Sequence, residues 1–205
     1  MTGASGGLGT PLVQALASLG VEVEAVYYRH PIARTDAIYP AKVDVSNPYL
    51  VAQFFDEIEP FDHLVLCHGV TSDSIGCRMT TSTWKHVVDT NLSGSFYCLR
   101  SGVSKMNDGG VVVAVSSVAA RGGIYGAANY AASKTGLGGL LASFALENKR
   151  LRFELMEAAF HDAGMGAKLP PKVRLRAQEA YGPFHPAQDF ISRVLGLLGI
   201  QEAAA

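Results

Sequence analysis

Val111-Val112-Val113-Ala114-Val115 places five apolar residues in succession, so a strand built from them is apolar on both of the faces between which its side chains alternate. Such a strand is buried on both sides, a condition met in a parallel sheet covered by helices above and below. Other apolar runs recur at Val21 to Tyr27, Lys42 to Val45, His63 to Cys67 and Arg152 to Ala158. Between them lie helical stretches at Leu8 to Leu19, Pro48 to Glu59, Ser82 to Ser104 and Ala127 to Asn148. This alternation, without an internal repeat or a low-complexity linker, predicts one α/β domain over residues 1–205. Pro48 suits the first position of its helix, and Thr81 or Ser82 could cap the next. Pro31 and Pro40 argue that the connection from Arg29 to Lys42 is a loop instead of a full crossover helix. Pro170 to Tyr181 and Pro186 to Leu198 read as two more helices, parted by Gly182-Pro183 and suited to form a lid over substrate.

Composition narrows the classes of partner. The chain has 205 residues, 48% hydrophobic and 17% charged, which suits a compact domain with a substantial core. Its 17 basic and 18 acidic residues leave a formal charge of −1, so there is no global basic footprint for nucleic acid. No stretch is long and uncharged enough to span a bilayer, and no basic-then-apolar leader precedes residue 2; a cytoplasmic protein is expected. Cys67, Cys77 and Cys98 lack metal-ligand spacing and read as reduced, mostly buried small residues, and no metal site is expected.

Two motifs carry chemistry. In Tyr130-Ala131-Ala132-Ser133-Lys134, helical spacing puts a phenol and an ammonium on one face, four residues apart. A cation near a phenol favours the phenolate and draws its pKa down from about 10, which would make the tyrosine a usable acid or base. Ser117 follows the Val111 run, at the strand end where active-site groups of open α/β sheets gather. Ser116 competes with it, as a strand-end residue or second hydroxyl donor. At the other end of the chain stands Thr2-Gly3-Ala4-Ser5-Gly6-Gly7-Leu8-Gly9. Small residues there let backbone amides approach a pyrophosphate, with a helix N-terminus aimed at its charge.

Glycine loop, serine, tyrosine and lysine in this order resemble the short-chain dehydrogenase/reductase family, and the resemblance covers most of the chain. Thr2, Gly3, Gly7 and Gly9 fall on the family's loop, with Ser5 and Leu8 inside it. Asn91-Leu92-Ser93-Gly94 is similar to its Asn-x-x-Gly element, and Ser117, Tyr130 and Lys134 complete a catalytic tetrad with Asn91. Arg78-Met79, Trp84, Asp89-Thr90-Asn91-Leu92 and Gly164-Met165 through Leu169-Pro170 most resemble the 3-oxoacyl-carrier-protein reductases. The resemblance implies a Rossmann-like, doubly wound parallel sheet and reduction of a ketone, a 3-oxoacyl thioester before others. In that scheme Tyr130 donates the proton, Ser117 holds the oxygen, Lys134 tunes the phenol and grips the nicotinamide ribose, and Asn91 holds a relay water. The alternatives are an alcohol, hydroxyacyl or hydroxysteroid dehydrogenase, or a catalytically impaired dinucleotide-binding member.

At the end of the second strand, Tyr28-Arg29-His30 stands where a carboxylate would bind an unmodified ribose. Arg29 suits a 2′-phosphate, so NADP(H) is preferred over NAD(H), against a reading in which Arg29 is merely solvated. Asp44, with Val45, is placed near the adenine, or else Asp44 caps the turn at Ser46-Asn47-Pro48. Gly69 gives close approach at the adenine ribose, while His68 reads as packed and hydrogen-bonded rather than as a base or ligand. Arg78, Arg121, Lys149 and Arg150 are candidates to meet an acyl carrier protein's acidic helix, or else scattered solvated charges. A homo-oligomer, dimer or tetramer, is expected.

The chain departs from the family in four places. It begins one residue before the glycine loop, so the first family strand is absent and another segment fills the gap or the chain is a fragment. It stops at Gly199 to Ala205 without the family's final strand. Glu154 to Ala163 replaces the family's Asn-Ala-x-x-Pro-Gly stretch and loop threonine, and Leu66-Cys67-His68-Gly69 stands where Asn-Asn-Ala-Gly is typical.

Overall fold

The computed structural model describes residues 1–201. Five strands form in it: β1 (Val23–Tyr27), β2 (Ile38–Lys42), β3 (Phe61–Leu66), β4 (Met106–Ser117) and β5 (Arg152–Ala158). All neighbours are parallel, in two ribbons ordered β1-β2 and β3-β4-β5. Thr2 joins the ribbons by bridging Val26 on one side and Leu66 on the other. Its amide donates to the Val65 carbonyl at 2.9 Å, and the Val26 amide donates to the Met1 carbonyl at 2.9 Å. Where the sequence predicts a missing first strand, Met1 and Thr2 occupy the last positions of that strand's place.

Helices cover both faces, as the apolar run requires. Val111, Val113 and Val115 face a layer with Leu12, Val13 and Leu16 of α1 (Gly9–Ser18) and Phe190, Val194 and Leu195 of α9 (Ala187–Leu198). Val112 and Ala114 face the opposite layer with Val51 and Phe55 of α2 (Pro48–Glu57), Leu99 of α4 (Gly94–Gly102) and Leu141 of α6 (Ala128–Glu147). Val112 and Val113 are fully buried, and burying such a side chain is worth about 1.5–3 kcal/mol each. Gly102 lets α4 meet α2: a Cβ there would stand 2.8 Å from the Phe55 ring.

Several expectations change. The strand placed at Lys42 to Val45 lies instead at Ile38–Lys42 and contains Pro40; β2 is an edge strand, where a residue without an N–H is tolerated. The helix read over Ser82 to Ser104 is broken into α3 (Thr81–Val88), a π turn over Asp89–Ser93, and α4. Thr80, not Thr81 or Ser82, caps α3, accepting from the Thr83 amide at 3.1 Å. Of the two helices read as a lid, α9 is a core element with Phe190, Ile191, Val194, Leu195 and Leu198 buried. α8 (Pro171–Tyr181) is largely exposed, anchored by Tyr181, which donates to the Gly123 carbonyl at 2.7 Å. Cys98 is buried as expected, whereas Cys77 is exposed. No strand follows α9 among the described residues, and the expected ending at Ala205 runs into residues 202–205, outside them.

Candidate active site

The site lies at the C-terminal ends of β3 and β4. β4 ends on Ser116 and Ser117, whose hydroxyls part ways. Ser116 donates into α6, to the Lys134 carbonyl at 3.0 Å. Ser117 accepts from the Ala119 amide at 3.2 Å, and its hydroxyl stands near enough to the Tyr130 phenol to lower that group's pKa. Tyr130 and Lys134 stand in the first two turns of α6, and the Lys134 ammonium lies 5.9 Å from the centre of the Tyr130 ring. The Lys134 amine donates to the Val115 carbonyl at 2.7 Å. Burial lowers its pKa to about 8, opposed by the neighbouring Cys67. Burial raises the Tyr130 pKa, opposed by the hydrogen bond from Ser117. The phenol is therefore raised where the sequence predicts that Lys134 draws it down: loss of water is the largest cause, with the nearby Cys67 and Asp73 acting in the same direction.

Asn91 enters through the π turn. It is fully buried; its Oδ1 accepts from the Val70 amide at 2.8 Å, and its Nδ2 donates to the Val70 carbonyl at 3.0 Å and to Ser133 Oγ at 3.1 Å. Ser133 in turn donates to the Tyr130 carbonyl at 2.7 Å. Ser133 thus ties Asn91 to the helix that carries the phenol, and Val70 ties it to the loop after β3, links the sequence does not signal because neither residue is one of the spaced chemical positions. Gly69 completes the group: a Cβ there would sit 3.5 Å from the Lys134 amine and 3.6 Å from Asn91 Oδ1. A π turn inside a longer helix often marks a functional site.

The glycine loop sits beside this group. A Cβ on Gly3, which has φ +69°, would come within 2.6 Å of the His68 amide, and one on Gly9 would come within 2.1 Å of the Gly3 carbonyl oxygen. The cradle therefore exists only with glycines. Next to it a cleft of about 300 Å³ is lined by Gly3, Ser5, Arg29, Asp44, Val45 and Gly69, six of the predicted cofactor residues. Arg29 is exposed there. Asp44 accepts from the Ser46 amide at 3.0 Å and the Ser46 hydroxyl at 2.7 Å, while Asn47 caps α2; its turn role and its place on the cleft coexist. The other six predicted cofactor residues, Thr2, Gly7, Leu8, Gly9, Tyr130 and Lys134, do not line this cleft, and Gly164, opening α7 (Gly164–Ala167), packs on Gly7. His68 is buried between Thr2 Oγ1 at 2.7 Å and Ser95 Oγ at 3.2 Å, and burial with the Lys134 charge lowers its pKa to about 3. It is a neutral, packed histidine. No cluster of His, Cys, Asp and Glu able to hold a metal ion occurs among the described residues.

Of the proposed docking cations, Arg121 pairs with Glu157 at 2.7 Å near the site. Arg150 is far from it, spent on Asp108 at 3.0 Å and the Val103 carbonyl at 2.7 Å beside the opposite end of β4. No described helix is long and apolar enough to cross a membrane.

A parallel sheet covered on both faces, with a glycine turn and a cleft at its strand ends, is the dinucleotide-binding Rossmann class. Residues 1–172 match the short chain dehydrogenase family, and the chain belongs to it. An acetoacetyl-CoA reductase from Shinella zoogloeoides is 30% identical over 219 residues, covering 99% of this chain and 90% of that protein. A 3-oxoacyl-[acyl-carrier-protein] reductase from Synechocystis sp. is 32% identical over 165 residues, or 72% of this chain. The match spans 66% of the length of the Synechocystis reductase and 64% of its counterpart from Rickettsia bellii. Among solved structures, the ligand-free aldohexose dehydrogenase of Thermoplasma acidophilum superposes with a TM-score of 0.84 at 23% identity, covering 96% of this chain and 84% of that one; the likeness is one of fold.

Proposed function

We propose that this chain is an NADPH-dependent carbonyl reductase acting on a 3-oxoacyl thioester. The observation that carries the reading is the meeting of Ser117, Tyr130, Lys134 and Asn91 beside a glycine cradle that a single Cβ would fill. The names of the relatives, which reduce acetoacetyl-CoA or 3-oxoacyl chains on a carrier protein, support the substrate class. When bound, the dinucleotide supplies the hydride. Gly3, Ser5, Gly7, Leu8 and Gly9, with Thr2 behind them, would hold its pyrophosphate; Arg29, Asp44, Val45 and Gly69 its adenosine end; Tyr130 and Lys134 its nicotinamide ribose.

The chain's own residues manage the proton. A phenol whose pKa is raised by burial stays protonated at neutral pH, so Tyr130 is a donor to the carbonyl oxygen as negative charge develops on it. Ser117, beside that phenol, turns its one O–H to the same oxygen and fixes its direction. Lys134 keeps a cation close by up to about pH 8, and Asn91 holds the α6 turn that aims the phenol. Arg29 favours the 2′-phosphorylated cofactor through bidentate bonding. Carrier docking falls to Arg121 and Arg78, and self-association to a face where Phe96 and Phe144 pack edge to face across α4 and α6.

One observation favours a second reading, a dinucleotide-binding member without turnover: Gly164 rests on Gly7, where the pyrophosphate would lie. Adding NADPH and acetoacetyl-CoA to the purified chain separates the two. Loss of absorbance at the nicotinamide band with formation of the 3-hydroxyacyl product is expected; bound NADPH without product would favour the second reading.

A further inference from the structure

His68 takes no part in the proton step, yet it is buried where an apolar side chain would be cheaper to desolvate. Its ring stands between hydroxyls from two separate segments. Thr2 Oγ1, at the head of the glycine loop, lies 2.7 Å from Nδ1, and Ser95 Oγ of α4 lies 3.2 Å from Nε2. Ser95 in turn reaches back one helical turn and donates to the Asn91 carbonyl at 2.8 Å. His68 therefore lies between the two halves of the candidate site, the glycine cradle and the π turn.

Counting protons fixes the direction of each bond. Ser95 has one O–H and spends it on the Asn91 carbonyl, so toward His68 its oxygen accepts and Nε2 carries the ring proton. The ring is neutral, because burial with the Lys134 charge beside it lowers its pKa to about 3. A neutral imidazole holds a single N–H, which leaves Nδ1 bare to accept the Thr2 hydroxyl. Beyond Asn91 the same sense continues. The Val70 amide donates to Asn91 Oδ1, so it is the Asn91 Nδ2 that donates to Ser133 Oγ at 3.1 Å, and Ser133 gives its O–H to the Tyr130 carbonyl at 2.7 Å. Each member from Thr2 to Ser133 donates onward toward the phenol-bearing turn, and Thr2, His68, Asn91, Ser95 and Ser133 are all buried. Water does not compete for such bonds, and aligned donors polarise one another.

We propose that His68, with its proton on Nε2, is a positioning residue that registers the glycine cradle against the Asn91 turn and so against the Tyr130 phenol. The inference rests on the reading of Tyr130 as the proton donor. Its mechanical basis is the flat ring: two nitrogens at a fixed separation bridge the Thr2 and Ser95 hydroxyls, whereas an apolar side chain would leave their spacing free. A misplacement of about 1 Å at a reacting centre is enough to cost ~10²-fold in rate.

Nitrogen-15 NMR of the native chain, without cofactor or substrate, tests the proton count. At neutral pH the His68 ring should show a protonated Nε2 and a bare Nδ1; a protonated Nδ1 would overturn the assignment. Thr2→Val removes only the first donor, and it should shift the side-chain amide resonances of Asn91. In a His68→Leu background the same substitution should leave those resonances still, and an Asn91 amide that ignores Thr2→Val in the otherwise native chain would break the link. Kinetics then separate positioning from folding. His68→Leu should lower kcat about tenfold or more at saturating NADPH, while His68→Gln, whose amide offers one acceptor and one donor side by side, should stay within about threefold of native. Native turnover in the leucine variant, or equal losses in both variants, would contradict the role. The NMR arms need no turnover, so they are decided even if the reductase reading fails, and their failure leaves that reading standing.

Discussion

His68 and Lys134, two buried basic side chains beside the candidate site, contribute to how this protein responds to pH. His68 has its pKa lowered from 6.5 to about 3, so the unfolded chain binds the extra proton between those values. Stability is therefore full above pH 6.5 and is lost as pH falls toward 3, by about 1.4 kcal/mol for each pH unit in that window. Urea midpoints measured from pH 7 to 4 should fall steeply, and His68→Asn should flatten the slope; equal slopes would refute a neutral buried histidine. Lys134 works in the other window: lowered from 10.5 to about 8, it makes stability rise with pH between the two. At the cleft, Arg29→Ala should weaken NADPH binding about 10- to 100-fold by loss of charge-assisted hydrogen bonds while leaving NADH nearly unchanged, read from dinucleotide fluorescence. Ser117, Tyr130 and Lys134 are legible in the chain as candidates, because their residue types and spacings suit a proton site, and the fold brings them together. The ionisation states were not, since burial is a property of the fold: Lys134 spends its amine on a backbone carbonyl, and Tyr130 is raised instead of lowered.

At the scale of elements, the π turn over Asp89–Ser93 is the joint on which the site depends. It turns Asn91 inward, where one side chain serves both backbone groups of Val70 and the Ser133 hydroxyl. Asn91→Ala leaves those buried groups without partners and should cost about 2–4 kcal/mol in chemical denaturation, with turnover falling more than NADPH affinity. A loss confined to stability would make Asn91 a purely structural residue. Helical periodicity suggested one helix through this region, because a single five-residue turn changes the phase too little to interrupt an apolar pattern. Pro40 misled in another way. With Pro31 it points to a loop in place of a crossover helix between Arg29 and Lys42, yet Pro40 itself lies in β2, an edge, where one missing donor costs little. α9 was read as part of a lid from its place after Gly182-Pro183; the burial of Phe190 and Val194 instead puts it under the sheet beside α1.

At the scale of the molecule, the unbroken apolar run of β4 was enough to imply helices on both faces, and two separate apolar layers meet it there. What pattern could not supply is the way the two ribbons are joined, since Met1 and Thr2 alone give no strand signal. They hold the sheet together through bonds to Val26 and Val65, and those same bonds place the glycine loop at the strand ends next to Ser117. The whole arrangement then makes one chemical claim, that the phenol of Tyr130 hands a proton to a carbonyl reduced by a bound nicotinamide. Single-turnover oxidation of NADPH in the presence of acetoacetyl-CoA, compared between the native chain and Tyr130→Phe, tests it most directly. The account predicts a loss of about 10²- to 10⁴-fold in rate at saturating NADPH, which still binds; a Tyr130→Phe protein that turns over at near the native rate would contradict it.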